Sequence, residues 1–515
     1  MLAGKIATLL VIATVMALIA SLWVAWRYRV AMQHFMKFGQ NFRLTVDTDL
    51  APRRLPSAAD LPPIPIDLTT NDRAWQRMLG AFVALTLLMA LTRTLLTQFA
   101  ADGPITLKTV GTLGLAYAWP VVPVIAVVQR WPRWRLVGAL TLWFVAAVAL
   151  LSWRTTEAVS FAQVFGWMLI DIGLPLIVVT ALCLGGATRA IGPWLVPLFA
   201  LLCATSQAGV DLLGELIARD SPVLHWLVGW LPAFGAIALF ALLPWLLAWW
   251  PARAMGCWLA AAYRRRQISE LLYLFTAVWA IALVGPALGA IASGDHRFWL
   301  YALPLAWIPL GARLMQSINA PPPGRPPTLL VLRVFQQDAN IQDLFDRVVE
   351  RWRLTGNSVL IAGTDLAERT IDPDDIFTFL DGRLGERFIL READIAPRLA
   401  AFEWQPDVEG RYRINECYCH DTTWKAALAE LLRLADVVLM DLRNFKASNA
   451  GCLHELRELA AQPGLRRVVV LTNRDTDLEA ARAAAQSPDG RFVWLQPAGD
   501  APPSARFVLN SLLGT

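Results

Sequence analysis

The sequence predicts a two-part fold: a multi-span α-helical membrane domain over residues 1–318, then a smaller α/β domain over 328–515 with a parallel sheet. Three observations predict it. Nine long apolar stretches fill the first part. Only 17% of the 515 residues are charged, against about 25% in soluble proteins. After a Pro-rich stretch at 319–327, short branched-apolar runs alternate with segments of helical periodicity.

The first apolar run, Ile6–Trp26, is uncharged between Lys5 and Arg27. A cleaved signal peptide would have a shorter core and a small-residue cleavage site. This run leads straight into Arg27 and Arg29, so an uncleaved anchor is expected. The later runs are Met78–Phe99, Thr109–Gln129, Leu136–Trp153, Ala158–Thr188, Ala190–Val210, Ser221–Trp250, Leu271–Gly294 and Phe298–Gln316. Pro222, Pro232 and Pro244 predict kinks in the seventh. The second and ninth have the shortest uncharged cores, 78–92 and 298–312.

Loop charge sets the expected orientation. The loop 27–77, the run Arg130–Arg135, the turn at Arg189 and the loop with Arg253 and Arg264–Arg266 are basic, and the intervening loops are not. Nine alternating helices put every basic loop on one side. The expectation is a multi-pass protein of the cell inner membrane, with its N-terminus outside and its C-terminal domain cytoplasmic.

Residues 1–324 carry 23 Lys+Arg against 13 Asp+Glu, and residues 325–515 carry 23 against 28. The basic excess therefore flanks apolar segments and does not mark a nucleic-acid partner. The partner implied is the lipid bilayer. Many of the 23 tryptophans fall at span ends, including Trp26, Trp131, Trp153 and Trp250, as an interfacial belt would place them. Six scattered cysteines form no disulfide framework and fit a reducing compartment.

Asp171 is the clearest ionisable residue inside a span. It is read either as a proton- or cation-handling group or as a helix–helix hydrogen-bonding residue, with no second buried acid or base to pair it. His225 is expected at the interface. No half-to-half repeat of the transporter type is present.

The Ala320–Pro327 stretch reads as an extended, semi-rigid spacer. Strands are expected at Thr328–Phe335, Ser358–Ala362, Tyr412–Cys419, Asp436–Asp441, Arg467–Thr472 and Phe492–Leu495. Helices are expected at Ile341–Trp352, Pro373–Leu380, Ala393–Phe402, Thr422–Leu434 with Asp421 as its cap, Cys452–Ala461, Leu478–Ala485 and Ala505–Leu513. Ligands of such sheets bind outside the carboxyl ends of the strands.

No phosphate loop, dinucleotide-binding Gly motif, nucleophile elbow, kinase signature or zinc-hydrolase signature occurs. Cys417, Cys419 and His420 do not have zinc-ligand spacing, so no metal is predicted. Asn415, Glu416 and His420 are candidates for the crevice lining. The run from Asp441 through Ser448 and Cys452 to Glu455 leaves a strand end and enters a helix. A carboxylate placed there is suited to a ribose hydroxyl or to the cationic sugar formed when an N-glycosidic bond breaks.

Ser448, Cys452, Glu455 and Leu456 follow the order seen on the third helix of Toll/interleukin-receptor (TIR) domains, which the segment resembles. Nucleoside deoxyribosyltransferase-like domains are similar as well. The resemblance implies a flavodoxin-like sheet, a catalytic role for Glu455 in NAD cleavage, and ligand contacts from Asp441, Ser448, Asn449, Cys452, Gln336 and Asp338. NAD would then be a substrate, with no other cofactor. Gly451 stands at the family's usual Trp position, and residues 373–420 look like an insertion.

Three functions follow as expectations. One is a membrane-anchored, TIR-like nucleotide-binding sensor or effector. The second is a non-enzymatic, self-associating interaction module. The third is a transporter or channel with a regulatory domain.

Overall fold

The computed structural model describes residues 2–38, 66–100, 102–154, 160–183, 186–292, 296–320, 324–333, 347–362, 373–380, 382–420, 422–486, 490–496 and 503–514. The first part is helical: α1 (Leu2–Phe38), α2 (Leu68–Ala100), α3 (Leu107–Tyr117), α4 (Val121–Val128), α5 (Arg133–Arg154), α6 (Phe161–Met168), α7 (Leu174–Cys183), α8 (Gly186–Ala218), α9 (Pro222–Trp230), α10 (Ala233–Arg264), α11 (Glu270–Ala292) and α12 (Trp307–Ile318). Among the described residues seven helices are long and apolar enough to cross a membrane. The α3–α4 pair, bent by 43°, makes an eighth if counted as one span.

The run Phe298–Gln316 differs from expectation. It is a 3₁₀ helix, His296–Ala306, leading into α12, and Pro304 lies inside the 3₁₀ segment. The two segments together reach roughly 40 Å. The run Ser221–Trp250 divides into α9 and α10, because Pro232 starts the second helix.

Burial orders the bundle. The apolar window of α11 is 72% buried and that of α10 only 6%, so α11 is the axis and α10 the rim. Leu271, Phe275, Val278, Trp279 and Ala282 of α11 carry the central packing. The rim helix is held by Ser206 of α8, whose Oγ donates to Ala241 O at 2.7 Å and accepts from Trp245 Nε1 at 2.7 Å.

Seven parallel strands build the second part: β1 (Thr328–Arg333), β2 (Asn357–Ala362), β3 (Phe388–Ile389), β4 (Ile414–Cys419), β5 (Val437–Asp441), β6 (Arg467–Leu471) and β7 (Phe492–Leu495). Their order is β3-β4-β2-β1-β5-β6-β7. The two-residue β3 has too short an apolar signal to be read from sequence. The insertion-like stretch 373–420 thus adds two strands outside β2. The order reverses between β1 and β5, where Arg333 stands opposite Asp441.

Strand alternation gives the sheet two apolar faces. Leu329, Val331, Val437, Leu439, Val469 and Leu471 share one cluster with the terminal helix Ala505–Leu513 and with Tyr28 and Met32 of α1. Leu330, Leu332, Val438, Met440, Val468 and Val470 share the other, with the helices Trp424–Leu434 and Ala450–Ala461. A 37-residue helix is about 55 Å long, more than a bilayer core needs. The surplus of α1 covers the sheet: Tyr28 meets Phe379 edge-on at 5.8 Å and Phe35 stacks on Phe388 at 5.3 Å.

The spacer does not hold the two parts apart. Arg325 donates to both carboxylate oxygens of Asp436, at 2.9 and 2.5 Å. The residues just before β2 and β4 dock on the helical part, and Leu354 and Val408 belong to its apolar core. Asn71, Arg130, Tyr263 and Glu270, at alternate helix ends, receive them. The amino edge of the sheet therefore faces the helices. The carboxyl ends of β1 and β5 lie roughly 17–20 Å further away.

Candidate functional site

At the carboxyl end of β5, Asp441 is fully buried and held by its second neighbour. Arg443 donates from Nε at 2.7 Å, from Nη2 at 2.5 Å and from its backbone N at 3.2 Å. Asn444 then turns the chain through a left-handed conformation (φ 63°). Its N–H donates to Asn473 Oδ1 at 2.9 Å, and Asn473 Nδ2 donates to Asn444 Oδ1 at 2.7 Å. Thr476 Oγ1 donates to Leu442 O at 2.9 Å. The loops after β5 and β6 thus brace each other at the strand ends.

The helix Ala450–Ala461 follows. Asn449 occupies its N-cap position, but its Oδ1 accepts from Lys446 N at 2.9 Å and from no helix N–H. Ser448 is exposed. Cys452 is buried, and burial together with neighbouring Glu455 pushes its thiol up to about 12. It is a packing thiol, not a thiolate nucleophile. Glu455 lies on the same buried face, 8% exposed, with no partner for Oε2. Burial raises its carboxyl to about 8, so it is mainly the neutral acid at pH 7.

Asp441, Asn449, Cys452 and Glu455 thus fall on one strand-to-helix connection. Gln336 and Asp338, expected across the crevice after β1, lie outside the described residues, as does Asp421. Asn415, Glu416 and His420 are not brought to this connection. They sit on or after β4, with β2 and β1 between it and β5. Asn415 Oδ1 accepts from Glu403 N at 2.8 Å near the sheet's amino edge. Among the described residues no group of three His, Cys, Asp or Glu side chains could hold a metal ion.

A second constellation lies at the junction of the two parts. Glu350 accepts from Arg130 Nη2 at 2.8 Å, Arg353 Nη1 at 2.9 Å and Arg411 Nη1 at 2.8 Å. Burial opposes its charge, but Arg353, Arg411 and Arg130 outweigh it and hold the carboxyl well below the usual range. Arg411 also reaches Glu270 of α11 at 3.1 Å. Arg413 pairs with Asp407 at 2.8 Å and Glu403 at 2.7 Å, donates to Tyr263 O at 2.7 Å and lies 3.9 Å from the Tyr263 ring centroid. On the flank, Arg351 binds Asp72 at 2.5 Å and Asn71 Oδ1 at 3.0 Å.

A third charge site lies within the bundle. Asp171 sits in a π-helical turn, Leu169–Gly173, and Arg93 of α2 donates from Nη2 to its Oδ1 at 2.7 Å and its backbone O at 3.2 Å. The wider π turn leaves that carbonyl open to an outside donor. The Arg93 guanidinium carbon lies 3.9 Å from the Tyr117 ring centroid. The expectation that Asp171 lacks a buried partner is overturned. Arg93 closes the uncharged core 78–92, and its place in an apolar run was the signal that could have paired the two. Arg443 and the junction arginines were also missed, because an arginine's burial is not written in its neighbours.

Comparison of the chain with protein-family models, with curated proteins and with solved structures returned no match.

Proposed function

We propose that this chain is a multi-pass membrane protein of the cell inner membrane whose cytoplasmic α/β domain is a TIR-like, nucleotide-binding effector or sensor acting on NAD. The carrying observation is the direction of the sheet. Its amino edge is docked on the helix ends, so the switch-point crevice between β1 and β5, where doubly wound sheets bind ligands, faces away from the helices. With β3 and β4 set aside, the strand order is 2-1-3-4-5, that of flavodoxin-type sheets. Glu455 then follows the third strand, as the TIR resemblance requires. The docked helix ends are also those bearing the basic loops, which supports a cytoplasmic domain.

The unpartnered Glu455 carboxyl fits the chemistry. Ribose hydroxyls donating to Oε2 would supply the missing partners and favour the carboxylate, which then stabilises positive charge on the sugar as nicotinamide leaves. The test uses the full chain in lipid nanodiscs with NAD. Nicotinamide release should fall at least about a hundredfold in Glu455→Ala. No release from the unaltered protein, or equal release from the variant, rejects the enzymatic reading.

The alternative of a non-enzymatic interaction module is favoured by one observation: the Asp441 carboxylate is already taken by Arg443. Silent NAD assays together with concentration-dependent self-association in nanodiscs would select it.

A further inference from the structure

The segment 405–413, just before β4, inserts from the sheet domain into the helical part. Val408 is in the bundle's apolar core. Gly410 takes φ 84° and passes so close to Asn319 that a Cβ would stand 2.8 Å from that residue's Cβ. The turn closes on itself through Asp407 N to Arg411 O at 2.9 Å and Gly410 N to Asp407 O at 2.9 Å. At its tip Glu409 has a side chain with no exposed surface, and neither carboxylate oxygen has a hydrogen-bond partner of ordinary geometry. The Ser269 hydroxyl and the turn's own N–H pull on the carboxylate more weakly than burial opposes it.

The charges around Glu409 are mixed. Asp407 is two residues away in the same turn, and Arg411 Nε is 3.6 Å from Oε1. That arginine's Nη1 and Nη2 are already committed to Glu350 and Glu270. The start of α11 contributes Ser269 and Glu270, and the helix before β2 contributes Glu350 and Arg353. Arg130 arrives from the turn after α4.

We propose that the turn 405–413 is a proton-operated latch between the two parts, seated while Glu409 is the neutral acid and loosened when that carboxyl ionises. The neutral form fits the site because Arg411 stands beyond hydrogen-bond reach with both terminal nitrogens committed elsewhere, Arg413 is taken by Asp407, and the Glu409 side chain is shut off from solvent. Burial first, and then Asp407, raises the Glu409 carboxyl to about 7. The free turn would titrate near the ordinary value of 4.5. Seating therefore takes up a proton, and the latch weakens as pH rises from about 4.5 to about 7, with a plateau above. Glu350 acts in the opposite sense: its depressed carboxyl favours docking above about 4.5, and that gain is lost as pH falls further. Seating is tightest at mildly acid pH. The latch is independent of the NAD reading.

Hydrogen exchange on the full-length protein in nanodiscs, corrected for the intrinsic pH dependence of exchange, tests this. Amides of 407–413 should lose protection on the order of a hundredfold between pH 5 and 8, while amides of α11 stay constant. In Glu409→Gln the junction profile should be flat across that range. Glu409→Met, which removes the titrating group while keeping its length, serves if the amide variant fails to fold. A flat profile in the unaltered protein, a parallel loss in α11, or an unchanged slope in either variant would overturn the proposal.

Discussion

Asp171 inside the bundle and Glu350 at the junction are both buried carboxylates, but their surroundings differ. Asp171 meets one arginine, which spends a single nitrogen on it, whereas Glu350 meets three arginines from three different stretches of chain. A single buried pair contributes little beyond repaying its own desolvation. A three-way hub fixes the relative position of the segments that feed it, because no one arginine can move without leaving two others around one charge. The bundle's ion pair is a local fastening, and the junction's hub decides how the sheet sits on the helices.

The sharpest break in this comparison is Glu350→Ala. It removes the carboxylate that Arg130, Arg353 and Arg411 share and leaves Glu270 as their nearest remaining counter-charge at the hub, and should cost about 4–5 kcal/mol. The loss should appear as a large fall in thermal stability and as proteolysis near 264–266 and 351–353. Arg93→Leu should cost less, about 3 kcal/mol, because it strands one buried charge where Glu350→Ala strands several. Adding Asp171→Leu to it should restore most of the loss, which differential scanning in detergent would read directly. Similar losses in Glu350→Ala and Arg93→Leu would erase the distinction between fastening and hub.

Gly410→Ala should cost about 1–3 kcal/mol through its left-handed backbone and the approach to Asn319. Its effect should fall on docking and leave the bundle unchanged, with exchange raised at 407–413 only. The smallest effect at acid pH is expected at Glu455, far from the junction. Its carboxyl is raised to about 8 in the fold, so the folded state holds a proton that the free chain sheds near 4.5. Stability should decline as pH climbs between those values and level off above them. Glu455→Leu should remove that slope and raise stability by about 1 kcal/mol at acid pH, where the native carboxyl is neutral in both states, and by more as pH rises. The difference between the two melting-temperature profiles isolates this group from Glu409, which titrates in an overlapping range.

Much of the architecture was legible because it rests on periodicity. Branched-apolar runs such as Val437–Asp441 and Arg467–Leu471 fall within a residue of their expected bounds, since a strand buried on both faces has no other composition. The missed strand, Phe388–Ile389, is only two residues long and owes its place to pairing with Tyr418 and Cys419. The run Phe298–Gln316 was legible as apolar and not as 3₁₀, because both helix types accept the same side chains. At the candidate site, the connection from Asp441 to Glu455 was visible as a strand-to-helix pattern. The capture of Asp441 by Arg443 and the isolation of Glu455 depend on rotamer and packing, and leave no trace in spacing. The junction was least legible: its members are separated by up to 342 positions, from Asn71 to Arg413.

The surplus length of α1 has a consequence for synthesis. Its last turns roof a sheet whose strands are translated some three hundred residues later. Until Phe379 and Phe388 leave the ribosome, that aromatic ridge of Tyr28 and Phe35 lacks its partners, and the sheet, once made, cannot finish its cover without it. Cutting the polypeptide at the proline stretch would separate a roof from its walls, so the sheet half is inherited with the helical half as one folding unit.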